Sequence, residues 1–354
     1  MKIIAEAGVN HNGSLKLAKQ LVDAAKLSGA DIVKFQCFRA NSLVTLDAEK
    51  AQYQHAGDKH SSQHDMLLSL ELSYEDFIEL SNYCQLKDIE FLCTAFDTNS
   101  LTFLLENTQM KRLKIPSGEI TNAPFVLQHA RAGLPLIVST GMASLADIEN
   151  TLKVITFGLL APKSEKPDSN RIEHYYSLPE ARSCLSEKVT ILHCTTEYPA
   201  PLNSINLNAM RSLGQCFGLS YGYSDHTKGT TVPVAATALG ASIIEKHFTL
   251  DKTQQGPDHK ASLEPDELEV MISSVRDCVL SLGSSVKTPA PVELKNKVAA
   301  RKSLVAATSI AEGEQFSEHN LTIKRPGSGV SPVYYWDYLG RTASRPFTKD
   351  ELID

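Results

Sequence analysis

The chain has 354 residues, 42% hydrophobic and 21% charged, so its composition is that of a globular protein with a buried core, and general disorder is excluded. A net charge of −6 and the lack of a Lys/Arg-rich run argue against duplex nucleic acid or an anionic membrane as a partner. No apolar run in the sequence reaches the ~18 residues of a membrane helix, and the N-terminal apolar stretch is too short for a signal peptide.

Short β-rich apolar runs alternate with longer helical periods from residue 2 to about residue 283. The runs are 3–9, 31–38, 90–97, 112–118, 134–141, 189–195, 219–226 and 242–248. Helical periods include 14–29, 74–88, 144–155 and 265–282. Eight strand–helix units predict an α/β fold, a (β/α)8 TIM barrel, rather than an open doubly wound sheet, which usually has fewer units.

Two insertions and a tail interrupt this alternation. Residues 39–72 follow the second strand, on the rim where substrate loops of barrels lie. The polar segment 161–187 precedes the sixth strand and is predicted to be a passive surface loop on the opposite rim. The barrel is expected to span 1–283. It is followed by a Pro- and Lys-rich linker, 284–297, and a small β module, 298–354.

The carboxyl ends of the predicted strands carry polar side chains where a barrel core would have Val, Ile and Leu. They are Glu6, Asn10, His11, Lys34, Gln36, Thr94, Asp97, Lys114, Ser117, Glu119, Ser139, Thr140, His193, Thr195, Ser224, Asp225, His226, Glu245 and His247. Buried polar groups cost free energy unless they are paired or bind a ligand. Because active sites of barrels lie at this end, the pattern predicts an active site at the barrel mouth.

Two of these residues are lysines set between apolar residues of the second and fourth strands, Lys34 and Lys114. Three interpretations remain open on spacing alone. The ammonium groups bind a phosphate together with the hydroxyls of Thr94, Ser117 and Ser139. Alternatively they form ion pairs with Glu6 or Glu119, or one of them forms a Schiff base.

Two histidines, His226 and His247, end the seventh and eighth strands, so their imidazoles are expected to meet at one point of the mouth. Two histidine ligands with open positions suit a divalent Mn²⁺, Fe²⁺ or Zn²⁺ that acts as a Lewis acid. Hydrogen-bonded core histidines are the alternative. We expect a structural or supporting role for His193, and leave His11 open.

The candidate acid–base groups, or partners of a metal-bound water, are Glu6 and Glu119. Burial near two lysines and a dication is expected to keep both ionised, although pure ion pairing remains possible. The seven cysteines form an odd set without C-x-x-C pairs, which predicts reduced thiols in a cytoplasmic protein. Those at 37, 93 and 194 alternate with the polar positions and are expected to pack away from the mouth.

At these residues the sequence closely resembles the sialic acid synthase family, the phosphoenolpyruvate-condensing nonulosonate synthases. The resemblance is carried by IIAEAGVNHNGS (3–14), VKFQCF (33–38), FLCTAFD (91–97), KIPSGE (114–119), IVSTGM (137–142), LHCTTEYP (192–199), GYSDHT (222–227), EKHFTLDK (245–252), GPDHKASLEP (256–265) and KRPGSG (324–329). These motifs occur in order over the whole barrel and extend into the tail. The resemblance implies a TIM barrel followed by an antifreeze-like (SAF) β-clip domain.

The resemblance also implies roles for individual residues. The phosphoenolpyruvate pocket corresponds to Lys34, Thr94, Lys114, Ser117, Ser139 and Ser224. The metal ligands, usually for manganese, correspond to His226 and His247, and the catalytic glutamates to Glu6 and Glu119. Contacts with the amino-sugar correspond to Gln36, Tyr198 and Asp258. Family members are homodimers whose SAF domain covers the partner's active site, where Arg325 matches the inserted arginine.

The implied reaction joins phosphoenolpyruvate to an open-chain N-acetylated amino-sugar and releases phosphate. N-acetylmannosamine as acceptor would give N-acetylneuraminate. The alternative acceptor, 2,4-diacetamido-2,4,6-trideoxymannose, would give N,N′-diacetyllegionaminate. A different class of protein, a non-catalytic carbohydrate-binding or ice-binding scaffold built on the tail, would have no need of the paired lysines, histidines and glutamates.

Overall fold

A computed structural model describes residues 1–50 and 62–354 of the chain. These residues form two compact units, Met1–Gly283 and Ser284–Asp354. Among the described residues, no helix is both long enough and apolar enough to cross a lipid bilayer.

The first unit is an eight-stranded parallel barrel, as predicted. Each predicted run coincides with a strand, although β1 begins one residue before its run: β1 (Lys2–Gly8), β2 (Ile32–Cys37), β3 (Glu90–Ala95), β4 (Leu113–Ile115), β5 (Leu136–Ser139), β6 (Val189–Cys194), β7 (Ser220–Asp225) and β8 (Ile243–His247). The hydrogen-bonded order is β3-β2-β1-β8-β7-β6-β5-β4. The end strands β3 and β4 also contact each other, which brings the sheet close to a closed barrel.

Helices surround the strands, and local sequence signals set their ends. Ser73 begins one helix with a capping box in which Asp76 returns the hydrogen bond, and Ser144 and Asp147 do the same for another. The helices of this unit are α1 (Leu15–Leu27), α2 (Ala40–Leu43), α3 (Gln63–Leu70), α4 (Tyr74–Leu86), α5 (Thr98–Asn107), α6 (Ala123–Arg131), α7 (Leu145–Leu160), α8 (Ser169–Tyr176), α9 (Pro179–Lys188), α10 (Leu207–Phe217), α11 (Thr231–Ala238) and α12 (Pro265–Leu282).

Apolar side chains between strands and helices form the main core. In β1, every residue after Lys2 is buried, because one face of the strand packs under helices and the other faces the barrel interior. Ile3 and Ile4 are fully buried in this strand, as are Ile32 and Phe35 in its neighbour β2. The same strands also bury Glu6 and Lys34, so the polar groups of the mouth are held on rigid, well-packed backbone.

The two insertions are more ordered than a surface loop requires. The prediction of a passive loop at 161–187 is wrong, because α8 and α9 fill most of this segment. Asp168 caps α8, and the ring of Tyr175 packs edge-on against Phe157 of α7 at 5.4 Å. The insertion at 39–72 contains α2 and α3; its residues 51–61 lie outside the described part of the chain.

The second unit has its own small core. Helix α13 (Pro291–Ala300) occupies part of the range predicted as a linker, 284–297. It is followed by an antiparallel pair, β9 (Ser303–Ala306) and β10 (Leu321–Lys324), and by the short α14 (Tyr335–Tyr338). The core cluster of this unit consists of Leu304, Ala306, Ile310, Phe316, Leu321, Ala343, Phe347 and Ile353.

Candidate active site

A cavity of about 380 Å³ opens at the carboxyl ends of the barrel strands. The barrel residues to which the resemblance assigns a role all line it: Glu6, Lys34, Gln36, Thr94, Lys114, Ser117, Glu119, Ser139, Tyr198, Ser224, His226, His247 and Asp258. Seven other polar residues expected at the mouth do not line it: Asn10, His11, Asp97, Thr140, His193, Thr195 and Asp225. The strands converge there because equivalent positions of parallel strands lie at the same end of a barrel. The sequence prediction of a polar mouth is therefore met by one continuous cavity.

The floor of the cavity is a network of two lysines and two carboxylates. Lys34 Nζ lies 2.9 Å from Glu6 Oε2 and 3.6 Å from Glu245 Oε2. Lys114 Nζ donates to both carboxylate oxygens of Glu245, at 2.8 and 3.1 Å. The ion pair of Lys34 with Glu6 was one of the predicted alternatives. The alternative that placed Glu119 in such an ion pair is wrong, because Lys114 pairs with Glu245.

Glu245 is the functional residue that sequence reasoning left without a role. Its Oε1 also accepts a hydrogen bond from Ser224 Oγ at 2.8 Å, so one carboxylate joins strands β4, β7 and β8. The sequence did contain a signal for a role of Glu245, because it is an acidic residue in a buried strand and lies two residues before His247. Successive side chains of a strand point to opposite faces, so Glu245 and His247, which are two residues apart, both lie on the inner face.

The network shifts the pKa values of its members in different directions. Burial opposes the ionisation of Glu245, but the charges of Lys114 and Lys34 outweigh it and lower the pKa of that carboxyl. For Glu6, burial outweighs the attraction of Lys34, and the nearby charge of Glu245 adds to it, so the pKa is raised. The expectation that the lysines and a dication together keep Glu6 ionised stays a prediction.

Hydroxyl groups surround the lysines. Lys34 Nζ donates to Thr94 Oγ1 at 3.2 Å, and Ser117 Oγ accepts from the backbone N–H of Gly141 at 2.9 Å. Ser139 Oγ is buried and has no hydrogen-bond partner among the described residues. Cys194 also lines the cavity, with Sγ 3.2 Å from Ser117 Oγ. The prediction that Cys194 points away from the mouth is wrong, because β6 ends there and turns toward the cavity.

The two histidines lie side by side, with ring centroids 5.5 Å apart. His226 Nδ1 is 2.6 Å from the carbonyl oxygen of Thr195, which fixes the N–H on Nδ1 and leaves Nε2 as the acceptor. Burial lowers the pKa of His226 to about 4 and that of His247 well below its usual value, so both imidazoles are neutral at neutral pH. Neutral imidazoles are the form that binds a metal.

The environment of His247 also fits a metal ligand. Its Nδ1 is buried, has no hydrogen-bond partner among the described residues, and lies 3.8 Å from Asp258 Oδ2. Within residues 1–50 and 62–354, however, no group of three or more histidine, cysteine or carboxylate side chains is arranged to hold a metal. The protein thus offers two imidazoles, and a metal there would keep open positions for water and substrate.

Three other side chains line the upper part of the cavity. The ring of Tyr198 stacks on His226 at 4.1 Å, and Gln36 Nε2 donates to Glu6 Oε1 at 3.1 Å. Glu119 is half-buried on a short 3-10 turn and accepts from Asn122 Nδ2 at 2.7 Å. The expected burial of Glu119 near the lysines is therefore wrong, since the turn carries it to the rim.

The remaining predicted residues lie outside the cavity. Arg325 belongs to the second unit, where it is exposed and Nε donates to the carbonyl oxygen of Ala300 at 3.0 Å. His193 Nε2 is 2.8 Å from the carbonyl oxygen of Ile205, which is the structural role expected for it. His11 Nδ1 accepts from the N–H of Gly13, so this histidine supports the loop after β1.

A polar cavity at this end of a TIM barrel defines an enzyme. Residues 21–287 match the NeuB family and residues 301–354 match the SAF domain. The chain therefore belongs to the NeuB family and is a carbon–carbon bond-forming transferase. The sequence resemblance is confirmed, and the alternative of a non-catalytic scaffold is wrong.

Several known proteins similar to this chain are synthases. An N,N′-diacetyllegionaminic acid synthase of Campylobacter jejuni is 46% identical over 99% of this chain and 98% of its own length. The Legionella pneumophila protein of the same name is 45% identical over 97% of this chain and 90% of its own length. A crystal structure of the N-acetylneuraminic acid synthetase from Leptospira borgpetersenii matches with a TM-score of 0.66 and 31% identity, covering 83% of this chain and 89% of that one.

The first prediction concerns Glu245. The substitution Glu245→Gln leaves two buried ammonium groups with only one carboxylate. We therefore expect the free energy of unfolding, measured by urea titration, to fall by about 3 kcal/mol. Inorganic phosphate should restore more stability to this variant than to the wild type, because it supplies the missing negative charge. The control is Ser224→Ala, which removes one hydrogen bond and should cost about 1 kcal/mol. Equal losses in the two variants would contradict this account of the network.

The second prediction concerns pH. Burial, aided by the charge of Glu6, raises the pKa of Asp258 to about 7. A carboxyl whose pKa is higher in the folded than in the unfolded state loses stability as pH rises between the two values. Without metal, the unfolding free energy of Asp258→Asn should therefore rise relative to that of the wild type between about pH 4 and about pH 7. This relative increase should be at most about 4 kcal/mol.

The control for this pH series is Asp251→Asn. Hydrogen bonds from Thr253 lower the pKa of Asp251, so replacing it should not produce a gain that grows with pH. Parallel stability curves for wild type and Asp258→Asn over this range would show that Asp258 ionises normally.

Proposed function

We propose that this enzyme condenses phosphoenolpyruvate with an open-chain N-acetylated amino-sugar and releases phosphate. We further propose that the acceptor is 2,4-diacetamido-2,4,6-trideoxymannose and the product N,N′-diacetyllegionaminate. The observation that carries the proposal is that two buried lysines and two neutral histidines face one cavity. This arrangement suits one anionic substrate and one carbonyl substrate bound side by side.

The lysine end of the cavity suits the phosphate of phosphoenolpyruvate. Lys34 and Lys114 supply two positive charges, and the hydroxyls of Ser139 and Ser117 lie on the same cavity wall. Charge-assisted hydrogen bonds from ammonium groups to phosphate are short and strong. In the absence of a phosphate, Glu6 and Glu245 compensate the lysines, so the site remains folded without substrate.

The histidine end suits a divalent cation, and we propose Mn²⁺. His226 Nε2 and the imidazole of His247 would hold it, since both rings are neutral and His247 Nδ1 has no partner among the described residues. A cation bound there would polarise the aldehyde oxygen of the acceptor as a Lewis acid. Asp258, 3.8 Å from His247, would orient this ligand or a water beside it.

The reaction follows from holding the two substrates together. Carbon 3 of phosphoenolpyruvate attacks the aldehyde carbon, the aldehyde oxygen takes up a proton, and carbon 2 becomes electron-deficient. Water adds at carbon 2 and loses a proton, and the tetrahedral product then loses inorganic phosphate. The role of the lysines is alignment, because positioning of two reactants can supply about 7–11 kcal/mol of the barrier. In this proposal, Glu119 at the rim assists the addition of water, and Glu6 on the floor moves a proton.

An apolar wall favours the deoxy acceptor. The side of the cavity formed by the insertion after β2 is lined by Leu43, Val44, Met66, Leu67 and Leu70. The proposal has the far end of the acceptor extend toward this wall while the lysines hold the phosphate. A methyl group at C6 and an acetamido group at C4 bury more apolar surface there than the hydroxyls of N-acetylmannosamine, and each buried CH₂ contributes about 0.8 kcal/mol. The two legionaminic acid synthases among the relatives support the same choice.

We also propose a homodimer in which the second unit of one subunit lies over the cavity of the other. Apolar side chains at the end of α12 and in the segment up to and including α13 are exposed in the single chain, namely Leu280, Leu282, Val286, Val292 and Val298. A second copy of the chain would cover such side chains. Arg325 would then reach the acceptor bound to the partner.

The third prediction tests the reaction. Phosphate release should require phosphoenolpyruvate, an acceptor and Mn²⁺, and a chelator should abolish it. The rate with 2,4-diacetamido-2,4,6-trideoxymannose should exceed the rate with N-acetylmannosamine at least tenfold in kcat/KM. The reverse order would favour N-acetylneuraminate as the product, as the name of the Leptospira structure would suggest. Metal-independent turnover, together with borohydride trapping of substrate at Lys34 or Lys114, would contradict the proposal and indicate a Schiff-base aldolase instead.

The fourth prediction tests the apolar wall. Leu67→Asn keeps the side-chain size but places an amide against the acceptor, so kcat/KM for the diacetamido sugar should fall about tenfold and that for N-acetylmannosamine much less. Leu68→Asn is a matched control on α3, because Leu68 is 53% exposed and does not line the cavity. A loss shared equally by both sugars in Leu67→Asn would mean that the wall does not select the acceptor.

A further inference from the structure

A second buried ion pair lies just outside the cavity, on the opposite face of β7 and β8. Asp225 and Lys246 are direct cross-strand partners, and Lys246 Nζ lies 2.6 Å from Asp225 Oδ2. Both side chains are fully buried. Neither lines the cavity, as expected from strand alternation, since their neighbours Ser224, His226, Glu245 and His247 do.

This pair is bonded to both sides of His226. The N–H of Thr227 donates to Asp225 Oδ1 at 3.0 Å, and Thr227 Oγ1 donates to Asp225 Oδ2 at 3.1 Å. Lys246 Nζ also donates to the carbonyl oxygen of Thr227. The residues before and after His226 are therefore tied to each other and to Lys246, which directly precedes His247.

Stability alone does not account for a pair in this place. Removing two charges completely from water is costly, and apolar residues of similar volume often stabilise a protein as well or better. What an ion pair adds is a fixed distance and direction between two strand ends. The two imidazoles follow these residues directly along their strands, and their ring centroids are 5.5 Å apart.

We propose that Asp225 and Lys246, with Thr227, form a brace that positions His226 and His247 for a divalent cation. They are positioning residues, because they act through the backbone of the two histidines and do not face the cavity. The proposal rests on the proposed metal site. It predicts that loss of the brace weakens binding of the cation far more than binding of phosphoenolpyruvate, whose lysines lie on β2 and β4.

The test uses full-length Asp225→Asn and Lys246→Met proteins, freed of metal, with binding of Mn²⁺ measured by calorimetry and by electron paramagnetic resonance. We expect binding to weaken at least about tenfold, as for other residues that support metal ligands, with a changed Mn²⁺ spectrum. The KM for phosphoenolpyruvate at saturating Mn²⁺ should change less than about twofold. If Lys246→Met does not fold, Asp225→Asn, which keeps the side-chain shape, decides the question.

The matched control is Arg112→Met. Arg112 and Glu90 form a largely buried ion pair between the starts of β3 and β4, with Nε 2.6 Å from Oε1, and neither residue lines the cavity. Its loss should lower stability and leave Mn²⁺ binding unchanged. Brace variants that bind Mn²⁺ like the wild type, or a control that loses as much affinity, would overturn the brace. Wild-type protein that bound no Mn²⁺ would instead overturn the metal site of the proposed function and the brace with it.

Discussion

The structure depends on charge compensation inside the barrel. Two lysines and two glutamates are almost completely buried on its floor, and none of them would be stable there alone. Glu245 matters most, because it accepts hydrogen bonds from Lys114 and Ser224 and lies near Lys34. If a phosphate binds the lysines as proposed, it meets two ammonium groups that folding has already placed, so their burial adds no further cost to binding.

The alternation of strand residues separates chemistry from support. In β7 and β8, inward residues form the cavity, while the outward Asp225 and Lys246 bond to each other under the helical layer. Inward-facing and outward-facing residues alternate along each strand. A residue that lines the cavity is thus next in sequence to one of the outward pair. If the pair acts as the proposed brace, it holds the backbone of the inward residues with the precise placement that catalysis requires.

Much of this arrangement could be predicted from the sequence, for physical reasons that the errors make clear. The eight strands were predictable because buried parallel strands are short apolar runs, and the polar residues at their ends were visible as exceptions. Cys194 and Glu119 were misplaced because both lie where a strand passes into a turn, and strand periodicity no longer determines direction there. The partner of Lys114 was missed because it comes from a strand 131 residues away in sequence. The helices at 161–187 were missed because the segment is polar and was therefore predicted as a loop. The structure shows instead that Asp168 caps a helix there and that Tyr175 of this helix packs on Phe157.

The apolar wall and the lysine floor come from different kinds of chain segment. The floor belongs to barrel strands, whose every residue is constrained on two faces, whereas the wall belongs to an insertion between β2 and α4. If the wall selects the acceptor as proposed, sequence changes in that insertion would alter which sugar the enzyme accepts and leave the bond-forming residues of the strands unchanged. Relatives that build different nine-carbon sugars would then differ mainly in this peripheral segment and share the catalytic strands. A chimera that carries a relative's insertion would accept the sugar that the relative accepts.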